Sequence, residues 1–165
     1  MKKLIILLLC GLIFCGCTSV GTAIPTEPAT EPATQPTPEL VSITVYHGNE
    51  NFDGLQTTVF SVEEKNMNVL VEKLKEVGVF PENIYIGSMK WDNGCLYLQM
   101  SPSFQDLIWQ QGSSGEYIVM GSLVNTFLDA FGEELGVDRV YVSAGSANPI
   151  ESGHAVYDFE MGYFN

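Results

Sequence analysis

An α+β domain, with helices packed on one face of a mixed or antiparallel sheet, is predicted by three stretches of this sequence. In the first, Tyr117, Met120, Val124, Phe127, Leu128 and Phe131 recur at steps of three and four, which lines them along one side of a helix. Gly132 and Gly136 follow as alternative left-handed stops, and Val140-Tyr141-Val142 then reads as a strand. In the second, the stretches Ile84 to Trp91 and Cys95 to Met100 flank Asp92-Asn93-Gly94. Asn-Gly supplies the two positive-φ residues of a type I′ turn, so this stretch predicts a β-hairpin. In the third, Val41 to His47 alternates, with Val41, Ile43 and Val45 on one side, as a half-buried strand does.

The front of the chain sets its address. Lys2 and Lys3 precede an uncharged run from Leu4 to Phe14, too short to cross a bilayer comfortably and laid out like an export signal. Cys17 follows Gly16, a small residue that a signal peptidase tolerates before its cut. Cys15 follows bulky Phe14, and Cys10 lies inside the apolar run. Phe14-Cys15-Gly16-Cys17 resembles a bacterial lipobox, with Phe14 in place of the usual Leu. The resemblance implies a signal peptide over 1–16, cleavage before Cys17, and acylation of its thiol and new amino group. At about 0.8 kcal/mol per buried methylene, two or three acyl chains hold a protein on a membrane for long periods. An ordinary secretory signal and an uncleaved anchor are the alternatives. All three put the folded part outside the cytoplasm, and the lipobox makes it a lipid-anchored protein of the cell membrane.

Residues 17–40 carry the lipidated cysteine and a linker. Between Thr18 and Leu40 stand Pro25, Pro28, Pro32, Pro36 and Pro38, six threonines and an imperfect T-E-P-A repeat. So little apolar matter cannot offset the entropy of ordering, and disorder is the expectation. Extended as polyproline II, this segment reaches roughly 70 Å at about 3.1 Å per residue. That is enough to lift a domain off the membrane toward the wall.

The remaining stretch, 41–165, has the size of one domain with a single core. With Cys17 acylated, Cys95 is the one cysteine left inside the fold, so packing rather than a disulfide must hold it. The whole chain carries a formal charge of −13; setting aside Lys2, Lys3, Glu27, Glu31 and Glu39 leaves the domain at −12. Such a surface repels nucleic acid and anionic headgroups and suits cations or basic partner faces.

Taken in order, Leu55 to Phe60 is the expected partner of the first strand. The Asn49-x-Asn51-x-Asp53-Gly54 stretch between them imitates the opening of a calcium loop. Its twelfth position is Phe60 where a bidentate Glu should stand, so it reads as a polar hairpin turn. Ser61 and Glu64 have the spacing of a capping box ahead of Met67, Leu70, Val71, Leu74 and Val77, an amphipathic helix that stops at Gly78. Glu72, Lys73, Lys75 and Glu76 form its wet face. After the Asn-Gly hairpin, whose second strand turns Leu96, Leu98 and Met100 one way and Cys95, Tyr97 and Gln99 the other, Ser101-Pro102 opens a short helix through Phe104, Leu107 and Ile108. Ser113 and Glu116 suggest a second capping box, at the front of the long helix. Ser143 to Gly153 is rich in Gly, Ser and Asn. The aromatic residues Tyr157, Phe159, Tyr163 and Phe164 then form a tail that should dock on the core or on a partner.

Several of these pieces fall in an order that resembles the GerMN domain, the sporulation and spore germination module of bacterial envelope proteins. Phe80-Pro81, then Asp92-x-Gly94-x-Leu96-x-Leu98-x-Met100-Ser101 and Phe104, is similar to its proline, strand, D-G turn, strand ending in Ser, and aromatic. Glu116 with Val124-Asn125-Thr126, then Val137 to Val142, is similar to its V-N-T helix and following strand. Ser152-Gly153-His154 is similar to its glycine-histidine step. This chain departs in having Gly78-Val79 where the family often has Gly-Pro, and in inserting Gly132 to Gly136 before the strand. The resemblance implies a compact α/β domain with helices on one sheet, no catalytic residues, and work through protein contacts in envelope or sporulation assemblies.

No set of residues here demands a particular chemistry. His47 and His154 are the only histidines, and neither lies in an H-E-x-x-H or C-x-x-C context; no G-x-S-x-G occurs. His154, between Gly153 and Ala155, is expected to cap a turn rather than to transfer protons. Cys95 has no basic neighbour in sequence and no metal-ligand spacing. The expectation is a non-enzymatic protein without cofactor or metal, tethered at Cys17, that meets an envelope protein through exposed groups such as Trp91, Tyr97, Trp109 and His154. Glycan binding is the alternative, since Trp91, Trp109 and Tyr97 could stack on the sugar rings of peptidoglycan. An envelope hydrolase using His154 is the third.

Overall fold

The computed structural model describes residues 39–165; the expected export signal, Cys17 and the expected linker as far as residue 38 lie outside the described residues. Strand β1 (Val41–Gly48) pairs antiparallel with β2 (Leu55–Val62), with Val41 opposite Val62 and Gly48 opposite Leu55. Alternation decides which way they face: Ile43 and Val45 are buried, while Val41 at the start stays exposed. In the turn, the Asn49 side-chain amide donates to Asp53 Oδ1 at 2.7 Å and the Asp53 backbone N–H returns a bond to Asn49 Oδ1 at 3.2 Å. The polar side chains close the turn on itself.

Helix α1 (Met67–Glu76) is capped by Asn66, whose side chain accepts from the amides of Asn68 and Val69. This corrects the Ser61–Glu64 capping box. Ser61 is still in β2, opposite Ser42, and the chain turns into the helix only where Asn66 can meet two free amides. Leu70, Val71 and Leu74 enter the core, and Lys73–Glu76 and Lys75–Glu72 pair on the outside.

Strands β3 (Ile86–Asp92) and β4 (Cys95–Met100) form the expected hairpin around Asn93 (φ 47°) and Gly94 (φ 78°). The first begins at Ile86 rather than Ile84, because the Ile84 amide is used by a turn, donating to Pro81 O at 3.1 Å, and its register then slips between Ile86 and Ser88. Helices α2 (Pro102–Trp109) and α3 (Ser113–Leu135) then carry the chain over to β5 (Arg139–Ala144), which pairs parallel to β4. A parallel neighbour requires such a crossover. The sheet is therefore mixed, in the order β3-β4-β5, beside two-stranded sheets β1-β2 and β6-β7 (Ile150–Glu151 with Val156–Tyr157). Ser101 precedes Pro102 as expected, yet its hydroxyl makes no cap bond and lies 3.4 Å from Asn83 O and from Tyr85 N instead.

Helix α3 is the centre of the fold. It touches β1, β2, β5 and α1, and fourteen of its twenty-three residues are buried, including Glu116, Ser122, Asn125 and Thr126. The Ser113–Glu116 capping box is not formed. Gly112 holds the N-cap position, Ser113 is already helical, and the Glu116 carboxyl points into the core. Gly136, left-handed at φ 64°, ends the helix, so Gly132 to Gly136 make up its last turn rather than a loop inserted before β5.

The tail docks on this helix. Tyr157 is buried and donates to Glu116 Oε1 at 2.7 Å, and Met161 bridges antiparallel to Val140. Asn125 clamps the Phe164 backbone at both of its polar groups: Nδ2 donates to Phe164 O and Oδ1 accepts from Phe164 N, each at 2.8 Å.

Candidate interaction surface

The β3-β4-β5 sheet has two unlike faces. Leu96, Leu98 and Met100 of β4 and Val140, Val142 and Ala144 of β5 are buried on the side toward the helices. Residues opposite one another share a face, so Ser88 and Gln99, Lys90 and Tyr97, Tyr97 and Tyr141, and Gln99 and Ser143 lie together on the other side. Here Ser88, Lys90 and Tyr97 are exposed and Gln99, Tyr141 and Ser143 half-buried. With Asn148 they line a shallow depression of about 310 Å³.

Its side chains are held in place. The Tyr97 and Tyr141 rings sit 5.9 Å apart at 41°. Tyr97 donates to Glu160 Oε1 at 3.1 Å, and Tyr141 donates to Asn148 Oδ1 and, at 3.3 Å, to Asp158 Oδ1. Ser143 Oγ donates to Gln99 Oε1 at 3.0 Å, and Gln99 Nε2 donates to Gly145 O at 3.0 Å. Arg139 pairs with Glu160 and with Asp138, and donates to Asn93 O. The bond to Glu160 holds the Tyr97 phenol above its ordinary pKa, and desolvation, then Asp158, does the same for Tyr141. Both hydroxyls are therefore neutral at physiological pH. What this face offers is two oriented aromatic rings bordered by polar groups.

Of the four surface residues expected from the sequence, Tyr97 alone belongs to it. Trp91 is opposite Leu96, so it projects to the other side of the sheet, at the open rim, and is 57% exposed. Trp109 is 60% exposed at the end of α2, and His154 is exposed in the β6–β7 turn. The three expected stacking residues thus stand on β3, β4 and α2 and do not compose one platform. The Ser152 hydroxyl caps the His154 turn by accepting from the amides of His154 and Ala155; the imidazole caps nothing. His47 bonds the Gly48 carbonyl at 3.0 Å and the Thr58 hydroxyl at 2.9 Å, which fixes it in the first hairpin. Cys95 is fully buried, and desolvation, then Glu160, pushes its thiol up in pKa, the direction opposite to activation. Among the described residues no group of three or more His, Cys, Asp or Glu could hold a metal ion. Nor is any described helix long and apolar enough to cross a membrane.

Sequence reasoning missed Lys90, Tyr141 and Glu160. The alternation of Val140-Tyr141-Val142 turns Tyr141 outward, but only the parallel register places it beside Tyr97. Glu160 lies in the tail and reaches the sheet through the Val140–Met161 bridge.

No family model matches the chain, and no curated protein matches it. Among solved structures it superposes on the tandem GerMN domains of the sporulation protein GerM from Bacillus subtilis with a TM-score of 0.57 over 81% of this chain, at 18% identity. The fold is GerMN-like. This chain spans about half, 49%, of the length of that structure. A designated candidate lipoprotein from Clostridium perfringens aligns over 74% of this chain and 87% of its own, at 9% identity and a TM-score of 0.44. In the GerMN-like fold the residues of the V-N-T stretch have structural duties. Val124 is core, Asn125 clamps the tail, and the Thr126 hydroxyl accepts from the Tyr46 amide at 3.0 Å.

Proposed function

We propose that this protein is a membrane-tethered interaction module that works without catalysis in a cell-envelope or sporulation-related assembly. The observation that carries the reading is the open β3-β4-β5 face, where Tyr97 and Tyr141 are fixed by hydrogen bonds to Glu160, Asn148 and Asp158. Oriented aromatic side chains lose little entropy on binding and suit the centre of a protein contact. The GerMN-like fold, seen also in a sporulation protein, supports the class of assembly. Acylated Cys17 would hold the module on the outer side of the cell membrane, with the linker giving it reach, and its acidic surface suits a partner with a basic rim.

Cross-linking on intact cells, followed by identification of the captured proteins, tests this. A Tyr97→Ala, Tyr141→Ala double variant that still folds should lose the captured envelope protein. Capture that is unchanged in the double variant, or recovery of monomer alone from wild-type cells at native expression, contradicts the reading. The glycan alternative predicts that the protein sediments with purified peptidoglycan. Its scattered tryptophans argue against a stacking platform, and a protein wholly in the supernatant would end it.

A further inference from the structure

Strand β2 presents an unpaired edge, and we infer that a second copy of this chain pairs with it, β2 against β2. This names a partner for the interaction module proposed above, through an element separate from the tyrosine face. The geometry follows from one bond. The Tyr46 amide donates to the Thr126 hydroxyl of α3, so Tyr46 and the residue opposite it, Thr57, form a pair whose backbone groups point away from each other. By alternation the same holds for Thr44 with Val59 and Ser42 with Ser61. The backbone N–H and C=O groups of Thr57, Val59 and Ser61 therefore face outward, and no partner meets them among the described residues.

Of the other long strands, β1 meets α3 at Tyr46, and β3 and β5 are blunted or occupied. β3 carries a register slip beside Gly87 and the charges of Lys90 and Asp92, and β5 is bridged by Met161. β2 has neither protection. Gly54 to Val62 contains no charged residue and no proline, and Val59 is 64% exposed.

A second copy fits better than the other occupants. The strand itself is uncharged, so nothing along it repels a second copy even though each domain carries −12. A two-fold axis through Val59 sets Val59 against Val59 and Thr57 against Ser61, so outward donors and acceptors meet in antiparallel register with no like charges opposed. The linker would be a poor added strand, because each of its prolines lacks an N–H. A basic peptide would find no acid on the strip.

The test uses the full lipid-anchored chain in detergent, with its mass followed by analytical ultracentrifugation across concentration. Wild-type protein should reach dimer mass, and Val59→Lys, at an exposed position that leaves the core untouched, should dissociate at least tenfold more readily. In membranes, oxidation should link Val59→Cys copies, because α-carbons of such a pair stand about 5.5 Å apart, within disulfide reach, whereas Lys90→Cys should not link. A wild-type monomer at every concentration, or a dimer indifferent to Val59→Lys, overturns the inference. So does a monomer whose Thr57, Val59 and Ser61 amides are protected from hydrogen exchange, since another segment of the chain would then cover the edge. A monomer that still captures an envelope protein on cells would leave the interaction-module reading standing.

Discussion

Glu116 shows how much a single side chain can do when it turns inward. Its sequence position suits a capping box, but the buried carboxyl instead accepts from Tyr157 and ties β7 to α3. Tyr157→Phe removes that donor and leaves a buried acceptor without its partner, a cost of about 1–3 kcal/mol. Chemical denaturation should show a loss of that size. Desolvation first, then the bond to Glu116, raises the Tyr157 pKa well above its usual 10.0. The proton is bound more tightly in the fold than in the unfolded chain, so this contribution is complete below pH 10 and fades as the pH climbs higher. Tyr157→Phe should therefore reduce the loss of stability measured above pH 10. Asn125 plays a comparable part, since its amide completes both polar groups around Phe164. Asn125→Ala should release the tail, seen as faster amide exchange at Phe164, and cost a further ~1–3 kcal/mol.

At the scale of elements, α3 replaces a missing neighbour strand. Thr126 satisfies an edge amide of β1 and Asn125 the N–H and C=O of Phe164 in the tail, so one helical turn pairs with backbone on two sides. Gly136 ends this helix at φ 64°, where a side chain is strained. Gly136→Ala should lower stability by ~1 kcal/mol, read from the denaturation midpoint. Elements written in local patterns were legible: the β1 alternation, the Asn93-Gly94 hairpin and the α1 and α3 periodicities all lead to the right element. The caps were not, because S-x-x-E names a spacing and cannot say whether the serine still lies in a strand, as Ser61 does, or already in the helix, as Ser113 does. Apolar spacing likewise finds one face of α3 but cannot reveal that polar Ser122, Asn125 and Thr126 are buried as well, Asn125 against the tail and Thr126 against β1, both distant in sequence.

For the whole molecule, the candidate site was the least legible part, because it is assembled by the parallel pairing of β4 and β5 and by the returning tail. Tyr97 could be read as outward-facing, whereas Tyr141 and Glu160 join it only through contacts that no local pattern encodes. Aromatic content groups Tyr97 with Trp91 and Trp109, as in the glycan reading, but the fold sets them on separate elements. The proposed anchor at Cys17 belongs to this scale too. Cys17→Ser should move the protein from the membrane fraction to the soluble one without altering the domain's unfolding transition. The account depends most on the tyrosine face being a protein contact. A photo-crosslinking residue placed at exposed Ser88, on that face, in the membrane-borne protein on living cells measures this most directly, with exposed Glu133 on α3 as the comparison. A discrete cross-linked partner from position 88 and none from 133 is the predicted result; equal yields from both positions, or none from either, would contradict the account.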